Sequence, residues 1–333
     1  MPIPLTMRAL QLESFDGPDG LHIREVPTPT PGAGQVLVKM HTAAVNPSDL
    51  MFMRNQYGIQ RTLPTTLGFE GCGTVVATGS GLGVLWLGRR VALATQAYGG
   101  TWSEYTIASA TNVFPLKHHI SDAQGAMLMV NPLTAWALID EARRMRQRAI
   151  VLNAANSALG RMLIRIATLR GLASIAIVRN AAYVRELRNL GATEVLVSSD
   201  PDFFSHLAHA CTHYQAGIGF DAVAGELTGV MLKAMPARAR VLVYGALSSA
   251  SVDVDVSTLL FGTKVVEGFW LTEWIHRRGM VQVIRAMRDI QNALYPAMTT
   301  EVTATYPLET AVAGIRAYEE QMGTGKIVLQ FHG

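Results

Sequence analysis

Cysteine is nearly absent from this chain: Cys72 and Cys211 are the only two in 333 residues. Two cysteines cannot build a disulfide framework, nor the Cys-rich shell of a structural zinc site. Long hydrophobic runs are missing as well. The best stretch, 259–271, is interrupted by Lys264 and Glu267, whereas a membrane span needs ~18–20 apolar residues. Charge of one sign does not accumulate: 28 basic residues face 25 acidic ones, for a net charge of +3 without blocks. That balance leaves no electrostatic footprint for DNA or RNA. Residues 1–16 show neither the apolar core of a signal peptide nor the Arg-rich character of a transit peptide, so a cytoplasmic, reduced protein is expected. What is present is apolar. Hydrophobic residues make up 49% of the chain and charged residues 16%, a balance that excludes disorder. The length suits two domains, each with its own core.

The first third reads as β-rich, with strand-like runs at 8–12, 35–41, 66–79 and 89–94 and a Pro/Gly turn region at 27–34. At Ser121 the pattern changes. This residue is a predicted N-cap for helical periodicity over 122–146, with a break expected at Pro132. Short apolar runs then alternate with helical stretches. Strands are expected at 149–152, 174–178, 194–197, 220–224 and 240–244, and helices at 158–171 and 182–190. Continuous apolar strands separated by helices indicate a parallel sheet covered on both faces. The division that follows is a β-rich domain over 1–121, a doubly wound nucleotide-binding domain over 122–264, and a return over 265–333 that closes with a strand at 326–331.

The first turn of that sheet, 153–160, reads Asn-Ala-Ala-Asn-Ser-Ala-Leu-Gly. A dinucleotide needs small residues there, so that backbone N–H groups and a helix N-terminus can approach the pyrophosphate. The Gly-x-Gly-x-x-Gly pattern is absent and only Gly160 remains, but Asn156 and Ser157 add side-chain donors. At the end of the second strand stands Arg179, where an acidic residue would bind the ribose hydroxyls of NAD. A guanidinium suits a 2′-phosphate, which favours NADPH. Other features read as structure. The glycines at 79–83 open no helix, and His206, His209 and His213 share one solvated helical face.

A β-rich domain, an inserted nucleotide-binding domain and a return segment resemble the medium-chain dehydrogenase/reductase superfamily over essentially the whole chain. The fold implied is a GroES-like catalytic domain plus a Rossmann domain. Zinc-dependent members place Cys before a Ser/Thr-Asp pair and carry Gly-His-Glu. Here the segments read Asn46-Pro47-Ser48-Asp49 and Gly68-Phe69-Glu70, so both metal positions are lost and no metal is expected. Among zinc-free members the chain is most similar to 2-enoyl thioester reductases of the mitochondrial trans-2-enoyl-CoA reductase type. The similarity rests on 46–49 with 55–58, on 130–135, on 153–157 with Gly160, and on Gly268-Phe269-Trp270-Leu271 with Trp274. Ala158 departs from the glycine usual in those reductases.

This resemblance implies Tyr57 as the catalytic residue. It implies cofactor contacts from Asn131, Thr134, Asn156, Ser157, Ala158, Leu159, Arg179, Tyr244, Gly245, Ala246, Leu247, Phe269, Trp270, Leu271 and Lys326, the last as a cation near the nicotinamide end. Asn46 and Trp274 become candidates for the substrate pocket. The activity implied is NADPH-dependent reduction of enoyl thioesters, within fatty acid metabolism, by a homodimer joined near 264–268. Reduction of quinones or enones, and NADPH binding without catalysis, are the alternatives.

Overall fold

Apolar residues alternate with polar ones along Thr6–Leu12 (β1), which pairs antiparallel with Leu21–Pro27 (β2) and briefly with Thr65–Thr66 (β4) in a small sheet. Gln35–Ala44 (β3) instead buries residues on both faces and becomes the hub of a second, larger sheet. Between them in sequence, Pro47–Met53 (α1) follows β3 directly. Glu70–Thr78 (β5), Arg90–Ala94 (β6) and Val113–Pro115 (β8) extend the larger sheet on one side of β3, and Tyr105–Ser109 (β7) pairs with its first half. The structure, a computed structural model, describes residues 2–95, 99–248, 250–320 and 325–331.

Ser121 caps a helix as the sequence suggests, its Oγ accepting the Gln124 N–H at 3.3 Å. The helix is shorter than the periodicity predicts. It stops after Asp122–Gly125 (α2), and a second begins at Asn131–Arg144 (α3). The interruption lies at 126–130, ahead of Pro132, which sits in the first turn of α3. Proline is tolerated there because the first-turn N–H groups have no intrahelical partner.

The parallel sheet then follows in order: Ala149–Leu152 (β9), Ala158–Leu169 (α4), Ala173–Val178 (β10), Val184–Asn189 (α5), Glu194–Val197 (β11), Phe203–Tyr214 (α6), Ile218–Asp221 (β12), Glu226–Ala234 (α7) and Arg240–Val243 (β13). Next come Val256–Gly262 (α8), Val265–Gly268 (β14), Leu271–Arg278 (α9), Met280–Gln291 (α10) and Tyr295–Met298 (α11). All neighbouring strands run parallel, in the order β11-β10-β9-β12-β13-β14. This is the doubly wound 3-2-1-4-5-6 arrangement. Lys264 anchors its outer strand: the ammonium donates to the carbonyls of Leu232, Lys233 and Met235 at 2.8, 3.1 and 2.6 Å, satisfying the open C-terminal end of α7.

After α11 the chain adds Val302–Pro307 (β15), Ala311–Glu320 (α12) and Lys326–Gln330 (β16). β16 pairs with the second half of β3, so the last strand closes the sheet that the first hundred residues began. The compact units are 1–131 with 299–333, and 132–298. Both expected boundaries move. The return starts at 299 rather than 265, because 265–268 is the sixth strand of the parallel sheet, not part of the return. The first boundary shifts from 121 to 131 because α2 stays with the β-rich unit, where the Gln124 side chain donates to Thr300 O at 2.7 Å and accepts from Thr300 N at 3.1 Å. No helix among the described residues is long and apolar enough to cross a membrane.

Candidate active site

In the parallel sheet β9 and β12 are neighbours, and strand order reverses between them. Dinucleotides bind at such a switch point, outside the carboxyl ends of the strands. A buried polar knot ties the two ends together. Asn153 Nδ2 donates to Asp221 Oδ1 at 2.6 Å, and Asn153 Oδ1 accepts the Ala222 N–H at 2.8 Å. Asp221 Oδ1 also accepts the N–H groups of Val223 and Ala224 at 2.8 and 2.9 Å.

The turn after β9 takes a glycine-like path without glycine. Ala154 has φ 44°, the left-handed region that side chains disfavour. Asn156 then leads to Ser157, the N-cap of α4, whose Oγ accepts the Gly160 N–H at 3.1 Å. A Cβ at Gly160 would lie 2.7 Å from the carbonyl oxygens of both Ala154 and Ala155, so this close packing requires glycine. Ala158 and Leu159 open the helix, whose N-terminus offers N–H groups and a positive dipole end to an anion. Arg179, just beyond β10, is exposed, and no acidic residue flanks it.

At the end of β13 the Tyr244 hydroxyl is buried without a hydrogen-bond partner. Burial and the nearby Asp221 hold its phenol well above the ordinary range. An orphaned buried hydroxyl calls for a partner from outside the protein, and together with the α4 cradle it fits a dinucleotide. Gly245, Ala246 and Leu247 follow it, the last two exposed. Asn131 starts α3 and Thr134 is buried one turn later. Phe269 is buried, Trp270 is exposed, and Leu271 begins α9. Trp274 does not line a pocket. It is 1% exposed, meets Trp136 edge-on with centroids 5.9 Å apart, and donates from Nε1 to Glu141 Oε1 at 3.0 Å. Its indole is core, stapled by one partly buried hydrogen bond.

In the β-rich unit two of the sequence-named residues, Asn46 and Lys326, are in direct contact. Lys326 is 3% exposed. Its ammonium donates to Val45 O at 2.9 Å, Asn46 Oδ1 at 2.6 Å and the Tyr318 hydroxyl at 3.1 Å. With three hydrogens directed at three protein acceptors, it is a structural cation rather than the cofactor contact expected of it. Asn46 is 1% exposed, and its Nδ2 donates to Glu70 Oε1 at 2.9 Å. Both ends of that amide are used, which removes Asn46 from the substrate pocket.

Glu70 continues the network, its Oε2 accepting the N–H groups of Met129 and Val130 at 2.9 Å each. Asp49, in the first turn of α1, accepts from Asn46 N at 2.8 Å and Phe69 N at 3.2 Å. Sequence reading missed both carboxylates as parts of a site, since one buried lysine far along the chain is what groups them. Their charge state is strained. Burial pushes the Asp49 carboxyl up to about 7, against the pull of its two backbone donors and Lys326. Glu70 is raised by the same desolvation.

Asp49 gives the fold a pH dependence. The folded state holds its proton more tightly than the unfolded chain does. The stability this contributes is therefore complete below the ordinary carboxylate range and is lost as pH rises through about 7. Melting temperature should fall between pH 5 and pH 8, and the fall should flatten in Asp49→Asn. A wild-type curve as flat as that of the variant would reject an uncharged Asp49.

Tyr57 lies half-buried against this core, its ring centroid 5.0 Å from that of Phe69. The donor positions that carry zinc in zinc-dependent relatives hold Asn46 and Phe69, and Glu70 is already bound by Asn46 and two backbone donors. An amide spent on other partners and a phenyl ring do not fit zinc. Elsewhere in the unit, His41, Cys72 and Asp122 bring ligand atoms within 4.8 Å of one another. That group contains its own cation: Arg90 donates to Asp122 Oδ1 at 2.7 Å, and His41 bridges Asp122 Oδ2 at 3.0 Å and Thr74 Oγ1 at 3.1 Å. These atoms form a satisfied hydrogen-bond network.

A β-rich unit closed by β16, its sequence interrupted by a separate unit whose 3-2-1-4-5-6 sheet carries a phosphate-type turn, defines a two-domain, dinucleotide-dependent oxidoreductase with GroES-like and Rossmann halves. Residues 32–118 match the alcohol dehydrogenase GroES-like domain, and residues 158–287 match the zinc-binding dehydrogenase domain. The chain is 30% identical over 298 residues to a mitochondrial enoyl-[acyl-carrier-protein] reductase of Xenopus tropicalis, covering 86% of this chain and 84% of that one. A crystal structure from Mesorhizobium loti, described as a candidate NADPH:quinone reductase, is 34% identical with a TM-score of 0.92, covering 99% of this chain and all (100%) of that one. A mycobacterial protein solved in complex with NADPH is 25% identical with a TM-score of 0.84, covering 98% of this chain and 100% of that one. The chain belongs to the medium-chain dehydrogenase/reductase superfamily.

Proposed function

We propose that this oxidoreductase uses NADPH to reduce the C2–C3 double bond of trans-2-enoyl thioesters. The observation that carries the reading is Tyr57, a phenol set on an apolar wall where the metal-donor positions hold Asn46 and Phe69. NADPH, when bound, supplies the hydride that adds to the β-carbon. The chain's own residues do the rest. Ser157 and the α4 N-terminus hold the pyrophosphate, and Arg179 meets the 2′-phosphate. Asn131, Thr134, 244–247 and 269–271 supply the remaining contacts. As negative charge grows on the thioester oxygen, the Tyr57 O–H donates a hydrogen bond to it and then passes its proton toward the α-carbon, leaving a phenolate that solvent reprotonates.

The name of the Xenopus relative supports a thioester substrate. The description of the Mesorhizobium structure, at 34% identity, favours a second reading, NADPH-dependent reduction of quinones or enones. NADPH oxidation followed with crotonyl-CoA, a longer trans-2-enoyl-CoA and a simple quinone, with NADH as control, separates them. Efficient thioester turnover with NADPH, and at least tenfold less with NADH, is the expected result. Quinone turnover without thioester turnover moves the assignment to the second reading. Binding of NADPH with no turnover of either leaves a non-catalytic cofactor binder.

We also propose a homodimer joined at β14, the outer strand of the parallel sheet. The adjoining α8 exposes Val256, Leu260 and Phe261 at 66%, 67% and 87%. Unpaired strand edges and exposed apolar residues are costly in a monomer. A monomer mass by light scattering would remove this proposal.

A further inference from the structure

Tyr57 lies in 54–64, a segment without helix or strand, so no regular backbone ladder fixes the plane of its ring. Phe69 meets that ring with centroids 5.0 Å apart and the planes inclined at 37°. Phe69 is itself held from several sides. It is 6% exposed. Its N–H donates to Asp49 Oδ1 at 3.2 Å, its carbonyl accepts the Thr95 N–H at 2.9 Å, and its ring meets Phe52 edge-on at 5.9 Å. The Arg61 guanidinium lies 5.8 Å from the Phe69 ring and 5.7 Å from that of Phe52. That guanidinium is fixed in turn, donating to the carbonyls of Thr66, Thr95 and Gly99 at 3.1, 3.2 and 2.7 Å.

We propose that Phe69 is a positioning residue for Tyr57. It is an immobilised aromatic plate that sets the plane of the phenol, and so the direction in which the hydroxyl reaches the substrate. Donors aimed in advance at developing charge need no reorganisation during reaction, and a loop residue gains that aim from a rigid neighbour. An aliphatic side chain of similar volume would fill the space but define no plane. For catalysis the proposal rests on the reading of Tyr57 as the hydroxyl donor.

The test has a positional arm and a kinetic arm. In the first, the protein is labelled with 3-fluorotyrosine, and the Tyr57 ¹⁹F resonance is assigned by its loss in Tyr57→Phe. In Phe69→Leu and Phe69→Met, both checked for folding by circular dichroism, that resonance should move toward the free amino acid position and broaden. A resonance unchanged in both variants overturns the proposal, whatever the turnover. In the kinetic arm, Phe69→Leu should lower kcat for a trans-2-enoyl-CoA about tenfold, the effect of misdirecting one positioned donor, while the KM for NADPH stays the same. In a Tyr57→Phe background the same substitution should change kcat less than twofold. Equal losses in both backgrounds would assign Phe69 a general structural role and overturn the proposal. Wild-type turnover in Tyr57→Phe alone would instead remove the hydroxyl from the reaction, and the ¹⁹F arm still decides what sets the ring.

Discussion

Tyr57→Phe is expected to lower kcat for trans-2-enoyl thioesters by about 10²-fold or more, the range in which a positioned proton donor operates. The substitution removes one oxygen and keeps the ring, so the contact with Phe69 at 5.0 Å survives and the fold should not change. NADPH affinity should also survive, because the residues assigned to the cofactor lie in 132–298, apart from Asn131, and Tyr57 lies in the β-rich unit. The signature is therefore a loss in kcat with an unchanged dissociation constant for NADPH, measured by cofactor fluorescence. A loss in cofactor affinity of the same size would mean that the ring supports binding rather than proton donation. Undiminished turnover would sink Tyr57 as the donor.

Lys326→Met is expected to have the largest effect on stability. The substitution keeps much of the volume but leaves Asp49 and Glu70, each 1% exposed, without the buried ammonium beside them. It also leaves Val45 O, Asn46 Oδ1 and the Tyr318 hydroxyl without their buried donor, at about 1–3 kcal/mol for each one left unsatisfied. The cation whose field favours the two carboxylates is removed with it. Lys326→Met should therefore be severely destabilised in urea. Lys326→Met/Glu70→Gln should recover part of the loss, since the glutamine carboxamide can still accept from Met129 and Val130. A single variant as stable as wild type would show that the two carboxylates do not depend on that ammonium. Losses that simply add in the double variant would show that Lys326 and Glu70 are not coupled.

The parallel sheet was the most legible part of the chain because its strands are short, continuous apolar runs, and 149–152 and 194–197 coincide with β9 and β11. The sixth strand came only from the resemblance, as the edge strand near 264–268, and not from its own residues. Val265–Gly268 is an outer strand with a mixed pattern and only Val266 half-buried, so it lacks the signature of its neighbours. Pro132 misled for a different reason: a proline in a first turn and a proline at a break read alike until the helix start is known. Arg179 and the 153–160 turn could be proposed from sequence because the roles suggested for them depend on local spacing after a strand. The ionic cluster could not be. Asp49 and Glu70 stand in sequence only as parts of segments that match zinc-type motifs, and Lys326 only as a cofactor contact that the resemblance implies; nothing groups the three until β16 is paired against β3. Trp274 failed as a pocket residue because an apolar aromatic serves a core and a ligand wall equally well.

The placement of β16 has a consequence for how the protein is made. The unit that begins first is completed after the other: β16, and with it the Lys326 ammonium that bonds Asn46, arrives with residues 326–330, after the whole of 132–298 has been synthesised. On a ribosome, where domains tend to fold in order of emergence, the parallel-sheet unit has all its strands while the tyrosine-bearing unit still lacks β16 and the Lys326 ammonium that bonds Val45, Asn46 and Tyr318. The sheet of that unit closes only when β16 reaches β3, long after the strands it completes have emerged.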